Sequence, residues 1–256
     1  MDDHSDDWID AARLDSPGTG GHRSYVGPPD QYDFMGATQF RLLTGLGLRE
    51  DHHLLDLGCG SLRAGRLLMF YLRPGRYHGI EPNGWLIDDA RAREIGADAF
   101  ALRRPRFDGN AAMRMDVFGR GFDFIVAQSV FSHTGGEMLD RALANAAPVL
   151  NPGGQFLFTV LDESTPAWPV LAPGAGAEGW IYPDCVGFAR EDVLARCARA
   201  GLSAEPLDWF HPRQRWYRAV PQGTPLLTPE QRALLGTGAV LFDPRFPTDN
   251  LPRTPA

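Results

Sequence analysis

Apolar positions along the chain recur at two spacings, and the order of the two predicts its elements. Tyr32, Met35, Phe40, Leu43 and Leu46 follow the step of an amphipathic helix, placing one over 31–46. After Arg49, short apolar runs of the kind buried on both faces of a sheet alternate with helical stretches. They predict strands at His53–Leu57, Tyr77–Ile80, Pro105–Phe107, Phe122–Gln128 and Gln155–Leu161, with helices near 61–72, 84–96 and 136–148. A Pro/Gly-rich stretch, 162–187, interrupts the pattern. A helix near 190–200 then stops at Gly201, and strands at 203–210 and 214–220 form a closing antiparallel hairpin. Such alternation implies an α/β fold, a largely parallel sheet with helices on both faces. Residues 1–24 read as a flexible acidic leader, and 221–256 as a Pro-rich C-terminal extension with a helical piece near 229–235.

Composition narrows the function classes. With 256 residues, 43% hydrophobic and 22% charged, the chain can build one full core. A net charge of -7 argues against a nucleic-acid partner, which calls for a basic footprint. All 25 basic residues are arginine, so no lysine can form a Schiff base or serve a phosphate loop. No apolar run approaches the roughly eighteen residues of a membrane span. The acidic start lacks the pattern of a secretory signal, and Cys59, Cys185 and Cys197 form no paired framework. A cytoplasmic protein with no membrane partner is expected.

The densest chemistry lies in Asp56-Leu57-Gly58-Cys59-Gly60-Ser61, where an apolar strand enters a glycine turn before a helix. Glycines let the backbone approach a ligand, and a helix start offers unpaired N–H groups. A dinucleotide turn reads G-x-G-x-x-G. Here Arg63 stands at the third glycine, and Asp56 would repel a pyrophosphate while favouring a ligand with an ammonium group.

Together with this turn, three further segments carry a resemblance: Gly79-Ile80-Glu81-Pro82-Asn83, Phe122-Asp123-Phe124-Ile125-Val126, and Leu150-Asn151-Pro152-Gly153-Gly154. In this order and spacing the chain resembles a class I S-adenosylmethionine-dependent methyltransferase over residues 25–220. The resemblance implies a seven-stranded Rossmann-like sheet in the order 3-2-1-4-5-7-6, its seventh strand antiparallel. It also implies S-adenosyl-L-methionine as cofactor.

On that resemblance, Gly58, Cys59 and Gly60 form the cofactor turn, with Cys59 a space-filling residue. Glu81, about twenty residues beyond the turn, is expected to accept from the ribose hydroxyls. Asp56 either faces the methionine part or caps the next helix. For the adenine contact Asn110 is favoured over Asp108. Gln128 and Ser129 border the cofactor at the end of the fourth strand. Tyr32 and Gln39 form a lid over the methionine end, or belong to an ordinary packed helix.

Methyl transfer needs position, exclusion of water and sometimes a base. His133, in the stretch after the fourth strand, is the first candidate base; it equally suits a packing or capping role. His211 is a second and weaker candidate. Trp168, Trp180 and Tyr182 are candidate aromatic walls, and Trp216 reads as core. Gln128–Thr134 contains no acid, and no zinc spacing occurs, so no metal is expected. The expected acceptor is a small molecule methylated on oxygen or nitrogen, with carbon also open. A homodimer is an assembly the sequence allows. The alternative is a non-catalytic S-adenosylmethionine-binding partner subunit or scaffold.

Overall fold

The computed structural model describes residues 20–162, 172–173, 179–182 and 184–242. Its parallel core is β1 (Leu54–Leu57), β2 (Tyr77–Ile80), β3 (Arg106–Asp108), β4 (Phe122–Ala127) and β5 (Leu150–Asp162). β1 pairs in parallel with both β2 and β4, β3 extends one edge, and β5 lies beyond β4. The closing hairpin is β8 (Leu202–Leu207) and β9 (Gln214–Pro221). β9 runs antiparallel between β5 and β8, so these seven strands take the order 3-2-1-4-5-9-8. That is the implied methyltransferase order, with the hairpin strands as its sixth and seventh.

Two short strands enlarge the sheet to nine. β6 (Ala172–Pro173) and β7 (Val186–Phe188) come from the interrupted stretch, and β7 pairs with the last residues of β5. Two or three residues carry too little periodicity to be read as strands. Other differences are local. The helix expected from 61 starts at Gly65, because Leu62 adopts a left-handed φ of 59° and delays the first helical turn. The helix expected over 84–96 is α4 (Gly84–Ala90) followed by a π-turn, Arg91–Ile95. After Gly96, whose φ is 89°, an unforeseen helix, α5 (Ala97–Arg103), leads into β3.

Side-chain alternation divides the core between the two faces of the sheet. Leu54, Phe124, Val126, Leu157 and Trp216 face α2 (Tyr32–Gly45) and α3 (Gly65–Tyr71), meeting Leu42, Leu43 and Leu68. Leu55, Leu57, Ile125, Ala127, Phe156 and Phe158 face α6 (Gly136–Ala146) and α7 (Arg190–Arg199), meeting Leu139, Leu143 and Val193. α1 (His22–Tyr25) precedes this body, and α8 (Pro229–Gly236) packs Leu235 beside Gly45. Trp216 is core, and Trp168 lies outside the described residues. No helix among the described residues is long and apolar enough to cross a membrane.

Candidate active site

The turn after β1 is fixed from below by β2. Gly58 N and Cys59 N both donate to the Ile80 carbonyl, at 2.8 and 3.1 Å, and Gly60 N donates to Glu81 Oε2 at 3.0 Å. Gly58 and Gly60 have φ of 69° and 52°; a Cβ on Gly58 would stand 2.5 Å from Val130 Cγ2. Cys59 Sγ fills the space that Gly79 leaves open, 2.8 Å from where a Cβ would sit. Burial and the charges of Asp56 and Glu81 hold its thiol well above the ordinary range, so it packs and does not attack.

Glu81 is 7% exposed at the end of β2. Besides Gly60 N, it accepts from Asn83 N at 2.9 Å and Asn83 Nδ2 at 3.0 Å. Three of a carboxylate's roughly four acceptor sites are thus engaged. A ribose presenting two hydroxyls would take the remaining acceptor site and the place of the Asn83 amide, with the backbone bonds retained.

Asp56 lies on the α2–α3 face of the sheet, like Leu54, and is 4% exposed. Tyr77 Oη donates to its Oδ2 at 2.8 Å. Burial lifts its pKa from 3.8 to about 7, against the pull of the Tyr77 bond and the Arg63 charge. Asp56 therefore does not cap α3; it is a buried carboxyl near its titration point.

The amino-terminal segment covers the turn. Val26 Cγ1 reaches 2.7 Å from a Cβ placed on Gly60, and Arg63 Nη1 donates to the Val26 carbonyl at 2.9 Å. Tyr32, fully buried, donates to the Ser61 carbonyl at 2.6 Å, and Gln39 is buried on the same helix. Tyr25 lies beside Asn83 and Glu81 and packs against Trp85 and Tyr182, with ring centroids 5.4 Å apart in each case. The Tyr182 hydroxyl donates to the Tyr25 carbonyl at 2.9 Å. Sequence reasoning gave Tyr25 and Trp85 no role. Their only signal is an aromatic on each side of the glycine and acidic motifs.

The end of β4 carries the remaining groups. Gln128 is 8% exposed, and neither its Oε1 nor its Nε2 meets a partner among the described residues. Ser129 takes a left-handed φ of 61°, with its N–H held by Thr159 Oγ1 at 2.8 Å. Its hydroxyl receives Gln214 Nε2 at 3.1 Å and lies 3.5 Å from His211 Nε2, so its own proton is free for a ligand.

The two candidate histidines hold opposite tautomers. His133 Nδ1 lies 2.8 Å from the Asp184 carbonyl, which can only accept, so Nδ1 carries the proton and Nε2 the lone pair. Burial lowers its pKa and keeps it neutral at pH 7. Tyr182 meets it edge-on at 4.8 Å. His211 Nδ1 accepts from Arg213 N at 3.2 Å and Gln214 N at 2.9 Å, so its lone pair is spent and Nε2–H is a donor. Burial and two arginine charges lower its pKa to about 3.

Asp108 and Asn110 sit together after β3. The Asn110 side chain is occupied within the turn: its Oδ1 accepts from Arg114 N at 2.9 Å, and its Nδ2 donates to Asp108 Oδ1. Asp108 Oδ2 is the less committed oxygen there. Glu81, Asp108, Gln128 and Ser129 thus share the carboxyl ends of neighbouring strands, where ligands of open parallel sheets bind. A cavity of about 430 Å³ lies at the opposite, amino ends, lined by His52, Asp123, Gln155 and Arg218. It touches none of these groups.

Comparison with known proteins agrees with this geometry. A family model described as a methyltransferase domain matches residues 55–156, from β1 to β5. Over that span the chain is similar to methyltransferase domains. No curated protein matches by sequence. Among solved structures, the fold is similar to that of magnesium protoporphyrin IX methyltransferase from Synechocystis PCC 6803 with bound SAH, at 14% identity and TM-score 0.58. That likeness covers 85% of this chain and 95% of the other. A glycopeptide N-methyltransferase complexed with S-adenosylmethionine is 16% identical, with TM-score 0.53, covering 73% and 94%. An O-methyltransferase family protein from Burkholderia thailandensis is 15% identical, with TM-score 0.54; the match covers 75% of this chain and 57% of that one.

The residues present fit S-adenosylmethionine. Gln128 offers an unpartnered buried amide, Glu81 an acceptor for the sugar, and the turn a glycine surface without Cβ atoms. When bound, the group supplies a sulfonium-activated methyl.

Proposed function

We propose that this enzyme methylates an oxygen or nitrogen of a small-molecule acceptor, with His133 removing the proton and no metal taking part. The observation that carries the reading is the His133 tautomer. Its Nδ1–H is committed to the Asp184 carbonyl, which leaves Nε2 as a neutral acceptor in a ring-lined corner formed with Trp180 and Tyr182. His211 and Ser129 act beside it as donors that orient the acceptor. Trp85, Trp180, Phe34 and Phe210 are exposed large aromatics, and the last two pair edge-on at 5.6 Å. Such surfaces favour an apolar or ring-bearing acceptor. The solved relatives named for a porphyrin and a glycopeptide agree with a small acceptor. Free cysteines, all buried, suit a reducing cytoplasm.

The test is transfer of a labelled methyl group from S-adenosylmethionine to a panel of phenols, carboxylic acids and amines, with and without a strong chelator. Transfer to a member of the panel, unaffected by chelation, supports the reading. Transfer that the chelator abolishes removes the metal-independent mechanism.

A further inference from the structure

The cavity of about 430 Å³ at the amino ends of the strands lies on the edge of the sheet opposite Glu81 and Ser129. Leu46, Phe124, Leu226 and Phe242 give it apolar walls, and its polar lining includes Arg218, His52, Gln231 and Asp123. A concave apolar chamber with a few convergent polar groups is the usual form of a small-molecule site. The bonds those groups already make decide which ligand it takes.

Three side chains keep an open donor. Arg218, 4% exposed, donates from Nε to Gln155 Oε1 at 2.6 Å and from Nη1 to Glu205 Oε1 at 2.9 Å, while its Nη2 meets no partner among the described residues. His52 Nδ1 accepts from Arg49 N at 3.1 Å, so the ring proton sits on Nε2, which is likewise unpartnered there. The His52 ring stacks on Phe124 with centroids 5.7 Å apart. Gln231 Oε1 accepts from Thr228 N at 2.9 Å, which leaves its Nε2 amide as the third donor. The carboxylates are already engaged. Asp123 Oδ2 accepts from His53 N at 2.7 Å and its Oδ1 from Asn151 Nδ2 at 2.8 Å. Glu205 holds Arg218 and Leu227 N on Oε1 and Arg232 Nη1 on Oε2. Two guanidiniums thus share one carboxylate, so Glu205 neutralises only one of them.

We propose that this cavity is a second ligand site, one that takes a small aromatic carboxylic acid. The carboxylate meets the Arg218 guanidinium in a charge-assisted bond, with His52 and Gln231 as further donors. The aromatic body lies among Phe124, Leu46 and Leu226. None of these residues belongs to the group at the carboxyl ends of the strands, so the site stands independently of the cofactor and of methyl transfer.

The experiment is calorimetry on the full chain with 2-naphthoate and with 2-naphthamide, a neutral molecule of the same shape. Naphthoate should bind saturably, one per chain, and at least about tenfold more tightly than the amide. Arg218→Met should weaken it by at least about tenfold. Because Arg218 is buried, Leu226→Glu is the companion variant: the position is exposed, and the new charge opposes the ligand at the rim. It should weaken naphthoate by a similar factor with the urea unfolding midpoint unchanged. His133→Ala, at the other edge of the sheet, should leave the affinity within about twofold of the parent. No saturable binding, equal affinity for acid and amide, or affinity that survives Leu226→Glu would overturn the proposal. Affinity lost in His133→Ala alone would do so too, by placing the acid at the acceptor site.

Discussion

Replacing Asp56 by asparagine should stabilise the protein at alkaline pH while weakening its cofactor. In the folded chain the Asp56 pKa stands at about 7, against 3.8 for the free group, because burial disfavours the charge. A folded-state pKa raised in this way makes a contribution that is fully present below pH 3.8. It is lost as pH rises, and the loss levels off above 7. The full displacement corresponds to roughly 4 kcal/mol, of which about 2.5 kcal/mol falls between pH 5 and pH 8. Asparagine is isosteric, keeps an oxygen to accept from Tyr77 and does not titrate. The assay is urea unfolding of parent and Asp56→Asn at pH 5, 6, 7 and 8, with the difference in unfolding free energy plotted against pH. Every other titration is common to the two proteins and cancels. The variant should gain on the parent by roughly 1 to 3 kcal/mol across this range, most of it below pH 7. Its affinity for S-adenosylhomocysteine at pH 8 should fall, since the ammonium loses its counter-charge. Parallel stability profiles for the two proteins would refute the buried, proton-holding Asp56 on which the reasoning stands.

Two further expectations concern the histidines. His133→Ala should lower kcat by about 100- to 10,000-fold with S-adenosylhomocysteine affinity unchanged in calorimetry, and unaltered turnover would remove it as the base. His211→Ala should leave the acid limb of the pH–rate profile in place, because its lone pair is already committed. It should cost about 1 to 2 kcal/mol in urea unfolding as the Arg213 and Gln214 amides lose their acceptor. A shifted acid limb would return His211 to the role of base.

The parallel core was legible because its strands are mostly apolar: Leu54–Leu57 and Phe122–Ala127 each hold a single acid, are buried along almost their whole length, and run into turns. β7 and the helix Ala97–Arg103 were not, for different reasons. β7 spans three residues, and the helix exposes most of its surface, so neither shows a period. The motif acids were legible as positions, but their environments were not. That Asp56 shares a face with Leu54 and meets Tyr77 follows from strand register, which pairs Asp56 with Gly79. The roles of His133 and His211 turn on which backbone groups their Nδ1 atoms meet. These are the Asp184 carbonyl in one case and two N–H groups of the β9 approach in the other, contacts that no spacing encodes. Arg63 was read as standing at a missing glycine; its bond to the Val26 carbonyl appears only once the amino-terminal segment is folded over it.

The most direct measurement is calorimetric titration of the purified full chain with S-adenosylhomocysteine, alongside Glu81→Ala. The parent should give a saturable heat with one ligand per chain. The variant, which loses the carboxylate that anchors the turn and that is proposed to hold the sugar, should bind at least about 100-fold more weakly while unfolding as a single cooperative transition. A parent that shows no heat, or a Glu81→Ala protein that binds as the parent does, would contradict a cofactor site at the carboxyl ends of β1 and β2.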